Sequence, residues 1–253
     1  MLAQLITAGV VLPLYFAAHI HRLPINPMTS AKDSRRAWGL LPAIALGFLL
    51  PTAFLFLFPA SNRISLDTKQ IIAAVWQPFP IYVALAYCAL CNYALPSQFE
   101  NDSQSSVHAH LKCTYMLSGL VSLVAHWAIL IPSFFASDPR YSFYQIFIPY
   151  PLHTTLGVPP DSLHSYRLSI RLLFQNDWLT TTVAAYFFFG YVHSQLSRTT
   201  AGGPRASMWG WARCMLAWTI AGGPGAAIAW AAVNREEGIR TVLENMQETV
   251  RRS

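Results

Sequence analysis

Six long apolar runs alternate with more polar segments along the chain, over residues 2–20, 37–59, 71–95, 113–135, 177–196 and 208–233. A membrane-crossing helix needs about 20 mostly apolar residues, and each run is near that length. The pattern predicts an all-α integral membrane bundle, because in lipid a helix satisfies its backbone polar groups internally. The first run has no basic residue ahead of it and no small-residue cleavage site. It therefore reads as an anchor rather than a signal peptide.

One connection is long, residues 138–176, and it contains Pro149, Pro151, Pro159 and Pro160. Its apolar, aromatic stretch 141–152 is too short to span and is expected at the interface or re-entering. Farther on, Leu163, Tyr166, Ile170, Leu173 and Phe174 stand at helical spacing, with no Pro or Gly before the fifth run. A helix running on from this connection into the membrane is expected. If its first part crosses alone, the spans number seven rather than six. Beyond Val233 the chain turns charged, and Ile239, Val242, Leu243, Met246 and Val250 make one stripe. Residues 1–233 thus read as the transmembrane bundle. Residues 234–253 read as an amphipathic tail on the membrane surface or in the cytoplasm.

Pro13, Pro42, Pro51, Pro78 and Pro80 fall inside apolar runs, and Gly222-Gly223-Pro224-Gly225 interrupts the sixth. Proline removes a helix donor and bends the axis. Kinked helices leave gaps between neighbours, and such gaps can hold ligands.

Composition removes several classes. Hydrophobic residues make up 54% of the 253 and charged residues only 11%, against about 25% charged in a soluble domain. So few charges cannot cover a water-soluble surface of this size. The net charge of +6 comes from Lys and Arg spread between the apolar runs. That is the spacing of loops and headgroup contacts, not of a basic face for nucleic acid. The bases divide almost evenly between the two sides, so orientation rests on the basic tail, which favours a cytoplasmic C-terminus. Cys88, Cys91, Cys113 and Cys214 lie in or beside apolar runs and read as small packing groups.

Polar groups at membrane depth are expensive and usually functional. Asp177 stands out as the carboxylate inside a long helical hydrophobic pattern. At a helix start it would be an N-cap. Inside a continuous helix in apolar surroundings its neutral, proton-bearing form is favoured. In the fourth run Thr114, Ser118, Ser122 and His126 recur every four residues, which puts them on one helix face. They serve either helix packing or a site, with His126 relaying a proton or binding a substrate oxygen. Gln77, Ala84, Cys88 and Asn92 share roughly one face of the third run, where headgroup binding and interhelical hydrogen bonds fit equally. Aromatics such as Trp76, Tyr82 and Trp178 mark interfacial belts near span ends. Toward mid-membrane they line a pocket whose ring faces stabilise cations. No Asp-rich pair for a metal–diphosphate complex is present, nor a Walker A or dinucleotide fingerprint, nor a bis-His haem spacing. His108-Ala-His110, expected in a polar loop, lacks partners for a closed metal site.

Four segments carry a family resemblance: Leu14-Tyr15-Phe16, Leu50-Pro51-Thr52, Trp76-Gln77-Pro78-Phe79-Pro80 and Phe174-Gln175-Asn176-Asp177. Spread over most of the chain, they resemble the small membrane-bound terpene cyclases of fungal meroterpenoid biosynthesis, the ascofuranone and ascochlorin type. The resemblance implies a multi-pass enzyme, with the endoplasmic reticulum as the expected membrane. Such an enzyme cyclises a prenyl chain carried on an aromatic or polyketide head, beginning with protonation of an epoxide or alkene and using no metal or cofactor. Its partners would be the lipophilic prenylated substrate and membrane lipids. Asp177 is the expected catalytic acid, with Trp76, Gln77, Tyr82, Asn92, Ser122, His126, Gln175 and Trp178 around the substrate. A two-acid mechanism would want a second carboxylate in an early span, and the first four runs hold none. A non-catalytic accessory membrane protein and a small transporter are the alternatives. A transporter would be expected to show inverted repeats or paired intramembrane charges.

Overall fold

The computed structural model describes residues 14, 31–57, 66–76, 78–96, 103–138, 142–148, 163–199 and 207–252. Apart from Leu14, the first apolar run lies outside them. Among the described residues every regular element is helical. The chain divides into two compact units, one over Asn26–Thr114 and one over Tyr115–Ser253 together with Met1–Ile25.

In the Asn26–Thr114 unit, α1 (Ala31–Ile44) passes through a π-helical turn, Ala45–Leu49, into α2 (Leu50–Leu57). The wider turn immediately precedes Pro51, which has no N–H for the carbonyl four residues back. Gly47 lies in this turn, and a Cβ there would stand 2.4 Å from the backbone nitrogen of Val83. Only glycine permits that approach. The third apolar run is not one span. It splits into α3 (Leu66–Trp76) and α4 (Phe79–Ala89), with a further π turn at Leu90–Ala94. The two helices are separated at Pro78, which has a non-helical ψ of 23°. Pro80 then fits in the first turn of α4, where its missing donor is harmless.

α5 (Gln104–Phe134) begins in this unit and continues into the other. His108 and His110 belong to it rather than to a loop, and His110 stacks on Trp38 with ring centroids 4.0 Å apart.

In the Tyr115–Ser253 unit, α5 is followed by the short α6 (Phe143–Phe147), then α7 (Leu163–Thr199) and α8 (Met208–Arg252). α7 runs unbroken from the connection through the fifth apolar run, as its periodicity predicts. α8 is kinked at Gly223, whose φ is 79° and ψ 168°. α7 and α8 pack through Met215, Ala227 and Ala231 with Tyr186 and Phe189 around them. Small residues let helices approach closely without a large apolar driving force. Beyond Val233 the chain stays in α8. There Val242 is buried with Val192 and Leu196 of α7, and Ile239 packs against them. This part of the tail's apolar stripe is covered by the chain itself.

Three helical stretches are long and apolar enough to cross a membrane: Arg36–Phe54, Ser105–Phe134 and Met208–Val242; Phe79–Ala94 is apolar but shorter. Six or seven such helices are not reached among the described residues. α7 has the length, but Thr180, Thr181, Thr182, His193, Ser194 and Gln195 dilute its apolar run. Large side chains such as Phe187 (77% exposed), Ile220 (67%) and Val124 (61%) stand on the outside. Exposed apolar side chains of this kind are compatible with a lipid-facing surface.

Candidate active site

The site is built where the kink in α8 meets the polar stripe of α5. Ser122 and His126 lie one turn apart on α5, and the Gly222–Gly225 segment of α8 rests on them. A Cβ at Gly225 would stand 2.5 Å from Ser122 Oγ, and one at Gly223 would stand 2.8 Å from His126 Nδ1. Gly223 also has a φ and ψ that L-residues other than glycine essentially never adopt. Glycine is thus required there by conformation and by space. Pro224 cannot donate to the preceding turn, and the kink opens the ladder around it. The indole Nε1 of Trp127, on α5, donates to the Ala221 carbonyl beside the kink at 2.8 Å.

The bend leaves a cavity of about 460 Å³, lined by Ser122 and His126 from α5, Phe147 from α6, Gln175 and Trp178 from α7, and the α8 kink. Most of the remaining wall is apolar, from Ala125, Ile129 and Ile146. Phe147 sets its ring edge-on to His126, with centroids 6.2 Å apart. α6 is only five residues long, so its C-terminal carbonyls have no helical donors. Gln175 Nε2 supplies them, donating to the carbonyls of Gln145 (3.3 Å), Ile146 (3.1 Å) and Ile148 (3.3 Å). Three acceptors on one side fix the amide orientation, with the nitrogen toward α6.

Two of the residues that line the cavity each bury one polar atom without a hydrogen-bond partner among the described residues: His126 Nε2 and Gln175 Oε1. Leaving a buried polar atom unpaired costs roughly 1–3 kcal/mol, and native proteins keep few of them.

Four of the expected substrate residues, Ser122, His126, Gln175 and Trp178, therefore share one cavity. Asp177 is half-buried in the interior of α7, well past its first residue, Leu163. An N-cap role is closed to it, because the helix is continuous on both sides. Its side chain is not among the cavity-lining groups. Successive helical residues turn about 100°, so Asp177 projects from a different face than Gln175 and Trp178.

The other expected residues belong to the Asn26–Thr114 unit. Trp76 Nε1 donates to Thr52 Oγ1 at 2.9 Å, and Tyr82 Oη donates to the Val75 carbonyl at 2.6 Å. Two of the family-like segments, Leu50-Pro51-Thr52 and the one opening with Trp76, are thereby joined. Asn92 is exposed in its π turn. Gln77 lies outside the described residues. Phe147 was not singled out from sequence; its signal was its place in the short apolar stretch 141–152. The α8 glycines were legible as a bend but not as the wall of a cavity.

No solved structure matches the chain. The terpene cyclase ctvD of Aspergillus terreus (strain NIH 2624 / FGSC A1156) is 39% identical over 94 residues, covering 36% of this chain and 27% of that protein. The terpene cyclase ascI of Acremonium egyptiacum is 27% identical over 154 residues, covering 59% of this chain and 39% of that protein. The chain thus spans well under half the length of the curated relatives it matches. These relatives bear out the resemblance to ascofuranone- and ascochlorin-type cyclases. The family described as the CtvD domain matches residues 1–240. Because that match takes in every residue lining the cavity, with the α8 kink and the α7 segment at Gln175, this chain belongs to the CtvD domain family.

Proposed function

We propose that this protein is a membrane terpene cyclase that folds a prenyl chain, epoxidised and carried on an aromatic or polyketide head, into one or more rings. The observation that carries the reading is a largely apolar cavity with a few isolated polar groups, in a chain whose curated relatives are named terpene cyclases. Its volume is in the range of sites for small organic ligands. The rings of Phe147 and Trp178 suit a migrating positive charge, and apolar walls keep water from quenching it.

The reaction balances without an added cofactor. A proton adds to the epoxide oxygen and the C–O bond at the more substituted carbon breaks. An alkene of the same chain supplies the electron pair for the new C–C bond. A proton then leaves the last cation, so the product is an isomer of the substrate. Asp177 is the proposed proton donor, since it is the carboxyl of α7 and stands beside Trp178. In this reading the apolar helices cross the endoplasmic reticulum membrane several times, and the substrate enters from it.

The test is expression in a host membrane supplied with an epoxidised prenyl-phenol. A cyclic product of unchanged mass is expected. Recovery of unconsumed epoxide, or of a diol heavier by one water, overturns the reading.

A further inference from the structure

The cavity is closed on two sides by contacts within the chain. α6 is fastened along both edges. Toward α5, Phe134 stacks on Phe143 with centroids 4.8 Å apart, Phe143 stacks on Phe147 at 5.3 Å, and Phe147 meets His126 edge-on. Toward α7, its carbonyls accept from Gln175. At the α8 kink Gly222 and Gly223 are buried, against Leu123 and His126 of α5. The lining residues that stand exposed are Ala125 and Ile129 of α5, Trp178 of α7 and Gly225 of α8. Ile129 keeps 50% of its surface and Trp178 46%. A side chain that both lines a cavity and stands exposed marks its mouth.

This mouth is apolar. Val121, Ala125 and Ile129 recur every four residues and are all exposed, so one apolar stripe of α5 leads to the opening. They fall within Ser105–Phe134, a stretch long enough to cross a membrane. Ile129 lies about 8 Å along the helix axis from the end of that stretch, so the mouth opens near one surface of the bilayer. The indole of Trp178 is apolar in body and polar at its N–H, the kind of ring that settles at headgroup level. Room inside is limited. At roughly 30 Å³ per non-hydrogen atom, the volume of a water in the liquid, the cavity's 460 Å³ holds about 15 such atoms. A chain of two or three isoprene units fills that space, and a head on its end is left at the mouth.

With the cavity taken as the prenyl-chain site, we propose that its open side is a lateral portal. A prenylated aromatic enters from the lipid chain-first, between α5 at Ile129 and α7 at Trp178, and its head stays at the mouth, stacked on the Trp178 indole. A lipid-dissolved amphiphile already holds its polar head at the bilayer surface and its chain in the hydrocarbon, so it enters without turning over. The far end of the chain then lies deepest, against Phe147 and the α8 kink, where water is best excluded.

Photolabelling of the full-length protein in lipid nanodiscs tests this without turnover. Two phenols with a saturated prenyl chain carry a diazirine, one on the ring and one at the chain end, and labelled peptides are read by mass spectrometry. The ring probe is expected at Ile129 and Trp178, and the chain-end probe at Phe147 and residues 222–225. Excess of the same phenol without diazirine should displace both. The unmodified protein should prefer this phenol to the matching cyclohexanol by about two- to tenfold, the range of one aromatic pair. Trp178→Ala should abolish that preference, and Trp178→Phe, which keeps a ring face, should retain most of it. Ala125→Trp, at an exposed position, should narrow the mouth and slow chain-end labelling several-fold. Ring-probe labelling of the α8 kink, chain-end labelling at Ile129, or labelling that excess phenol does not displace overturns the portal. Equal affinity for phenol and cyclohexanol overturns the stack on Trp178. Should Ala125→Trp fail to fold, the two labelling maps of the unmodified protein still decide. The expected maps without a cyclic product in the expression test would keep the portal and sink the cyclase reading. Cyclisation with the maps reversed would do the opposite.

Discussion

Gly223 of α8 lies against the imidazole of His126 so closely that a Cβ would stand 2.8 Å from Nδ1 and 3.1 Å from the His126 Cβ. The contact joins the backbone break in the sixth apolar run to the polar stripe of the fourth. It also places His126 at the cavity. The two glycines of this seat should respond differently to substitution. Gly223→Ala meets both the ring and a φ of 79°, and the conformation alone costs about 1–3 kcal/mol. Trimming His126 therefore cannot fully rescue it. Gly225→Ala meets only Ser122, at Oγ and Cβ, so Ser122→Gly should restore much of its stability. Thermal unfolding of the two single and two double variants in detergent checks this. Equal rescue in both pairs would show that the strain at Gly223 is purely steric.

Asp177→Asn keeps the shape of the side chain and removes its proton. As the proton donor, Asp177 should show a loss of about 10²–10⁴-fold in turnover, the range for a positioned general acid. Membrane insertion and thermal stability should stay near normal. Since α7 is continuous through this residue, a capping role no longer competes as an explanation. Near-normal turnover of a well-expressed Asn variant would remove Asp177 from the mechanism and move the search for the acid to the cavity wall.

Gln175 fastens α6 through its amide N–H₂, whose two hydrogens are shared among three carbonyls, so Gln175→Leu should release the short helix. Hydrogen exchange at the amides of residues 143–148 should speed up by about tenfold or more, corresponding to roughly 1–2 kcal/mol of lost local protection. Gln175→Lys should stay near the unmodified rate. Unchanged exchange in the Leu variant would mean that apolar packing alone holds α6.

In the Asn26–Thr114 unit, the Trp76–Thr52 hydrogen bond should contribute about 0.5–1.5 kcal/mol. Trp76→Phe and Thr52→Val should each destabilise by that order. Combined they should cost less than their sum, because either change already breaks the bond. A double-mutant cycle by thermal unfolding measures the coupling. Full additivity would leave the Trp76 indole N–H without a structural role and strengthen its expected place at the substrate.

The sequence by itself determined the helical class, the presence of apolar helices long enough to cross a membrane and the unbroken run of α7 through Asp177. Each rests on local chemistry repeated along the chain: the length of an apolar run, a spacing of four, the absence of Pro and Gly. It also determined that Ser122 and His126 share a face and that Gly222-Gly223-Pro224-Gly225 bends its helix. Only the tertiary structure decided what those features meet. That the bend rests on Ser122 and His126 depends on the packing of α8 on α5, between residues about a hundred positions apart. That Gln175 faces α6 and the cavity while Asp177 does not is a matter of how α7 is rotated. Its apolar residues lie nearly all round the helix, so the sequence pattern leaves that rotation open. That the third apolar run is two helices was signalled by Pro78, but whether a proline kinks or breaks a helix depends on whether neighbours satisfy the freed carbonyls. The polar ends of Trp76 and Tyr82 found partners in their own unit, whereas His126 and Gln175 each kept one atom unpaired among the described residues. Residue type cannot tell these cases apart, because hydrogen bonding is settled by geometry across the fold.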